Sequence, residues 1–299
     1  MFPSPRFAAL ASGLAAALTP LAAQRAAPIP AVFVAGTGPE TIVLVSGMVG
    51  GVAGFRRLTT LLVARGQQVI VIDPYYLSID SADVSFAALA RRVDAVLAER
   101  GVTAARVVGH SQGAGVAVRL AAMSPQRVAE LYLLDAGALP ANRGAVLSAS
   151  LRLAPLIARV PGGRDFIRRR FVRGLRQSSG GQEWLDADTQ RAYTEPMLGS
   201  IGRVVDMARR LARAEEPESV SAVVSRVHVP VTVLLGDAPH MARSTPEEIT
   251  ALAPLASLLR VERLPGVGHF PHEEVPDEVA SFVLAAQVAS AGRRMERAR

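Results

Sequence analysis

The stretch ARVVGHSQGAGVAVRLAAM at residues 105–123 leaves this chain few folds to choose from. A β-branched run stops at Gly109-His110-Ser111-Gln112-Gly113 and passes without a linker into an Ala/Val-rich helical pattern. A buried strand that enters a helix this abruptly needs a strained turn, and Gly109 and Gly113 leave room for the tight backbone. Ser111 then stands at the carboxyl end of a parallel strand, with a helix N-terminus behind it that favours negative charge. G-x-S-x-G alone arises by chance in about one chain in ten of this length. The strand before it, the helix after it and a histidine far downstream in a glycine-rich loop favour a nucleophile turn over a plain packing turn.

With 299 residues, half of them hydrophobic, the chain can bury one large α/β core, or a core plus an inserted subdomain. It contains no cysteine, which excludes disulfides, thiolate metal sites and a cysteine nucleophile, and says nothing about redox compartment. All 33 basic residues are arginine, a coding bias from which no function follows. The net charge of +7 is spread unevenly. Residues 28–140 and 226–292 together hold 13 arginines against 16 acids, whereas 141–225 hold 14 against nine and 293–299 four against one. A nucleic-acid binder needs a basic stripe on its folded core with aromatics interleaved, so the mildly acidic core argues against that partner.

Residues 1–27 carry Arg6, then FAALASGLAAAL, then small residues around Ala23. This signal-like leader predicts export, with cleavage after Ala23, although Leu21 stands where a small residue is preferred. A cytoplasmic protein with an Ala-rich leader is the alternative, and the run is too short and Ala-weighted for a membrane span. From Pro28 strands and helices alternate. Strands are predicted at Ala31–Val34, Thr41–Val45, Gln68–Ile72, Val128–Leu134, Val229–Leu235 and Leu258–Leu264, with helices at Phe55–Ala64 and Val84–Arg100. Strict alternation implies a mostly parallel, doubly wound sheet with ligand sites at the strand carboxyl ends.

The rhythm breaks at 141–225, which has helical patterns and no convincing strand, and reads as a cap inserted between two late strands of a core made of 28–140 and 226–292. Within it Ile167, Phe171 and Leu175 fall at i, i+4 and i+8 with arginines on the other faces. An ordinary amphipathic cap helix accounts for this. A surface for anionic lipid or for an acidic substrate is the sharper alternative, and membrane-surface contact is an expectation of the first of these. Residues 293–299 form a basic tail.

SGMVGG after an early strand, GHSQG after a middle one, the helical insert and GVGHFPHEEVP near the C-terminus together resemble the α/β-hydrolase superfamily, over residues 30–290 and in the right order. The resemblance implies Ser111 as nucleophile, His269 as general base, and an oxyanion hole made by the backbone N–H groups of Met48 and Gln112. Ser46 stands where the family usually has histidine, which leaves a main-chain donor unaffected. The family's acid commonly lies three residues after the glycine ending the penultimate strand, and here that position is Pro239. Asp135, at the end of the strand after the nucleophile helix, is the preferred replacement; Asp237 is the alternative.

The chemistry follows from the residues as well. A serine hydroxyl attacks only when an imidazole takes its proton, and that imidazole later protonates the leaving group. His272 is a second candidate base, and His269 with His272 would make a poor metal pair lacking a third ligand. His110 reads as structural; His228 and His240 read as bland. The expected function is a cofactor-independent serine hydrolase acting on a small or medium-sized ester. A Ser nucleophile argues against the dehalogenase and epoxide hydrolase branches. The alternative, motivated by Pro239, is a catalytically weak member that binds a small ligand or partner. Oligomeric state is not legible in the sequence.

Overall fold

The computed structural model describes residues 30–136, 149–240, 244–255 and 257–285, so the leader, the basic tail and the join into the helical insert lie outside the described residues. Seven strands form one sheet: β1 (Val32–Ala35), β2 (Thr41–Val45), β3 (Gln68–Ile72), β4 (Ala105–His110), β5 (Val128–Leu134), β6 (Val231–Gly236) and β7 (Leu259–Leu264). Their spatial order is β1-β3-β2-β4-β5-β6-β7. Only β1 runs antiparallel, on the edge beside β3. The other neighbours are parallel, with Val45 opposite Gly109 and His110 opposite Leu134 at the carboxyl end.

Both faces of this sheet are buried, which is why its central strands are runs of Val, Ile and Leu. Alternate side chains serve opposite faces. Val43, Val45, Val107, Leu131 and Val233 pack under α3 (Phe86–Glu99) and α4 (Gln112–Met123). Ile42, Leu44, Val108, Leu134 and Leu234 pack against α1 (Arg56–Ala64) and the helical residues 276–285 on the other face. From β2 the chain winds outward to β3, then returns to β4 and proceeds the other way. The sheet therefore reverses direction between β2 and β4, where α/β sheets place their ligand crevice.

A short α2 (Pro74–Leu77) follows β3. Between β5 and β6 the described chain is helical: α5 (Ala149–Ile157), α6 (Gly163–Gln177), α7 (Ala187–Gly199), α8 (Ile201–Leu211) and α9 (Val220–Val224). Val172 and Leu175 of α6, Trp184 and Leu185 of the loop after it and Tyr193 of α7 form a small core with Phe270 and Val49. Val205 and Ala208 of α8 pack on Met48. After β6 come α10 (Pro246–Thr250) and, after β7, α11 (Pro271–Glu274). Among the described residues no helix is long and apolar enough to cross a membrane.

Candidate active site

Ser111 sits between β4 and α4 with φ 53° and ψ −127°, a conformation that L-residues avoid and that costs about 1–3 kcal/mol. The surrounding backbone enforces it. A Cβ on Gly113 would lie 2.4 Å from the Val45 carbonyl oxygen, and one on Gly109 would lie 2.7 Å from the Ala114 Cα. The Ser111 N–H donates to the Leu134 carbonyl at 3.1 Å, which ties the turn to β5. Its hydroxyl is thereby aimed out of the sheet's carboxyl edge.

There Ser111 Oγ meets His269 Nε2 at 3.1 Å, and His269 Nδ1 donates to Asp135 Oδ2 at 2.7 Å. Asp135 follows β5 with φ 46°, a left-handed conformation that Asp tolerates better than most residues and that turns its carboxylate back over the sheet. Its other oxygen accepts the Gly236 N–H at 3.2 Å, so the carboxylate is fixed from two sides. Asp237 is occupied elsewhere: its Oδ1 accepts the Gly266 N–H at 2.6 Å, bracing the loop before His269.

Gln112 follows Ser111 in the chain, and the loop that carries Met48 lies against the turn. Gly47 is pressed against the turn, since a Cβ there would lie 3.1 Å from Ser111 Cβ. No hydrogen bond among the described residues takes up the N–H of Met48 or of Gln112.

His240 requires a correction. It is no bland residue: its side chain is buried and its Nε2 lies 3.4 Å from Asp135 Oδ2, so one carboxylate faces two imidazoles. The reason is local. Pro239 fills the family's acid position, and the loop that would bring a carboxylate to His269 brings the ring of the next residue instead. The ligating atoms of Asp135, His240 and His269 lie within 4.8 Å of one another, a composition suited to a metal. Two ligands on one tetrahedral zinc keep about 3.3 Å apart. The 2.7 Å between His269 Nδ1 and Asp135 Oδ2 is a hydrogen bond.

His110 and His272 belong to the packing beneath the site. His110 Nε2 donates to the His269 carbonyl at 2.7 Å, and burial pushes its pKa down to about 3, keeping it neutral. The His272 ring packs at a tilt 4.3 Å from His110 and 4.6 Å from Phe55, and burial likewise holds it well below the usual imidazole range. His272 is thus a core residue.

Two acids that sequence reasoning passed over fasten the histidine loop. The Glu274 carboxylate accepts the N–H groups of Gly180 (2.7 Å), Gly181 (3.0 Å), Gly268 (3.0 Å) and Phe270 (3.1 Å), while the His269 N–H donates to the Ser178 carbonyl at 2.7 Å. The loop between α6 and α7 is therefore sewn directly to the backbone of His269. A Cβ on Gly268 would strike this seam, 2.5 Å from Gly180 N and 2.6 Å from the Ser178 oxygen. Gly268→Ala should destabilise by about 1–3 kcal/mol and lower turnover by about a hundredfold through a displaced imidazole. Thermal melts and steady-state assays check both, and a variant equal to wild type would refute the seam.

Glu273 is buried beside Tyr193, whose hydroxyl donates to it at 3.1 Å, with Arg56 and Arg57 each 3.5 Å away. Burial outweighs the arginines and raises its pKa from 4.5 to about 7. The folded state thus holds a proton that the unfolded chain releases between about pH 4.5 and 7, and stability falls as pH rises through that window. Relative to Glu273→Gln, wild type should lose up to about 3 kcal/mol between pH 5 and 8. Urea titrations at the two pH values read this, and parallel behaviour would contradict it.

Residues 42–282 match the Alpha/beta hydrolase family, and the chain belongs to it. A curated relative, the sn-1-specific diacylglycerol lipase ABHD11 of Mus musculus, is 24% identical over 268 residues, which are 81% of this chain and 80% of that protein. Among solved structures, a membrane phospholipase A described as a bacterial virulence factor aligns with TM-score 0.64 at 22% identity, covering 85% of this chain and 80% of the other. The epoxide hydrolase CorEH aligns with TM-score 0.61 at 16% identity, covering 85% and 93%. At these identities the likeness speaks for the fold, which hosts several chemistries.

Proposed function

We propose that this hydrolase is a serine esterase that cleaves small or medium-sized carboxylic esters through an acyl-enzyme, with no cofactor. The observation that carries the reading is the unbroken hydrogen-bond chain from Ser111 Oγ through His269 to Asp135. The hydroxyl attacks the ester carbonyl while His269 Nε2 takes its proton. Asp135 stabilises the imidazolium, and the carbonyl oxygen, now negative, receives the N–H groups of Met48 and Gln112. The imidazolium then protonates the departing alcohol. A water, deprotonated by the same Nε2, attacks the acyl carbonyl, and collapse of the second tetrahedral species returns Ser111 and releases the carboxylic acid.

A serine at this turn also favours ester chemistry over epoxide opening, where the family uses aspartate. The lipase title of the mouse relative supports acylglycerols as a substrate class to try beside simple esters. Asp135 within hydrogen-bond reach of His269 supports this reading over a purely ligand-binding member, whose motive was Pro239 at the family's acid position. The test is hydrolysis of p-nitrophenyl esters of increasing acyl length in the presence of a chelator. Turnover is expected with the shorter chains at least. No turnover of any ester or acylglycerol would sink the proposal.

A further inference from the structure

We infer that the outer surface of the helical insert docks on an anionic lipid bilayer, through an apolar edge on α5 and the start of α6 backed by an arginine face along α6. Eight large apolar residues are exposed among the described residues, and four of them fall within one short stretch: Leu153 (51%), Leu156 (57%), Val160 (57%) and Phe166 (48%). Leu153 and Leu156 are one turn apart on the outside of α5, Val160 is in the turn that follows, and Phe166 is in the first turn of α6. Water-facing aliphatic and aromatic side chains concentrated in this way mark a surface that something apolar covers.

The charge beside them says what covers it. With a period of 3.6 residues, Phe166, Arg169, Arg170, Arg173 and Arg176 share one face of α6, and all five are exposed. Val172 and Leu175 occupy the opposite, buried face. Asp165, the only acid of α6, pairs with Arg168, which also reaches Glu195; Arg169, Arg170, Arg173 and Arg176 have no ion pair among the described residues. A helix with an apolar tip, a wide arginine face and low overall hydropathy is built for the boundary between anionic headgroups and acyl chains, where arginine stems lie along the apolar layer. A second copy would bring the same positive face and repel it. Nucleic acid would leave Leu153, Leu156 and Val160 in water.

The docked face leads to the chemistry. From Phe166 the helix α6 runs to Gln177, and the next residue, Ser178, accepts the His269 N–H. A bilayer engaged by α5 and α6 would thus lie within about one helix length, ~20 Å, of the histidine loop. Binding itself does not depend on the esterase reading.

The test is cosedimentation of the full chain with vesicles of mixed phosphatidylglycerol and phosphatidylcholine, against pure phosphatidylcholine, at low and high salt. Wild type and Ser111→Ala should bind the anionic vesicles alike, and high salt should weaken both. Arg169→Gln/Arg170→Gln/Arg173→Gln should lower partitioning about a hundredfold, since each arginine near such a surface contributes roughly a fivefold factor. Leu156→Ser/Phe166→Ser should weaken binding that survives high salt. Both variants should keep the wild-type melting temperature and hydrolysis of a soluble ester. Equal binding to neutral vesicles, undiminished binding by both variants, or no binding by wild type would overturn the proposal. So would a wild-type dimer that Leu156→Ser/Phe166→Ser converts to monomer without any vesicle binding.

Discussion

Ser111→Ala is expected to lower kcat for ester hydrolysis by up to about a million-fold, with KM little changed and the fold intact. The hydroxyl is the atom that becomes bonded to the acyl group, so its loss removes the covalent route, whereas the substrate's other contacts remain. The Met48 and Gln112 donors should leave a residual rate of about a thousandfold over water, because they stabilise the oxyanion whatever the nucleophile. Alanine also relieves nothing in the backbone: the strain at φ 53° is imposed by the crossing of β4 and α4. Steady-state kinetics on a p-nitrophenyl ester read the effect. Undiminished hydrolysis by the purified variant would remove Ser111 from the mechanism.

Asp135→Asn should cost about ten-thousand-fold in turnover, and Asp237→Asn no more than a few-fold. The difference is one of proton bookkeeping. Asp135 Oδ2 accepts from His269 Nδ1 at 2.7 Å and so leaves Nε2 unprotonated, facing Ser111. An asparagine amide donates to Nδ1 instead, placing the ring proton on Nε2, where it can no longer receive the serine's. Asp237 only accepts the Gly266 N–H, and its loss weakens one loop contact worth about 1 kcal/mol. If Asp237→Asn were the crippled variant, the assignment of the acid would be reversed. Parallel melts separate a chemical effect from a folding one.

How far the sequence could be read depended on how local the cause was. β2, β3 and β5 match their predicted bounds because each is a short, mostly apolar run rich in Val, Ile and Leu and set between turn residues. β6 starts at Val231 and not at Val229, since Pro230 between them has no N–H to give the ladder. The long helix starts at Phe86 and not at Val84, because the Ser85 side chain accepts the Ala88 N–H and caps it. The same locality explains the site. The Ser111 turn is written in five consecutive residues. Asp135 and Asp237 both end strands, and only the register of β5 with β6, together with the left-handed turn at Asp135, decides which one reaches His269.

Other parts were out of reach for the same reason. Glu273 and Glu274 drew no reading of their own, because their partners are Tyr193, Arg56 and the glycines at 180 and 181, distant in the chain. His240 gave no signal apart from following Pro239, and its importance comes entirely from Asp135, which arrives from another strand. The exposed residues of α5 were equally silent, because a leucine's burial is a property of the packed molecule.

The central claim is that Ser111 is activated by His269 and Asp135. Labelling with a fluorophosphonate, read by intact mass and peptide mapping, tests it most directly, because the probe bonds only to a serine whose proton has somewhere to go. Wild type should gain one adduct, on Ser111; Ser111→Ala should gain none, and Asp135→Asn should react orders of magnitude more slowly. An adduct on another residue, or labelling of Asp135→Asn as fast as wild type, would contradict the account.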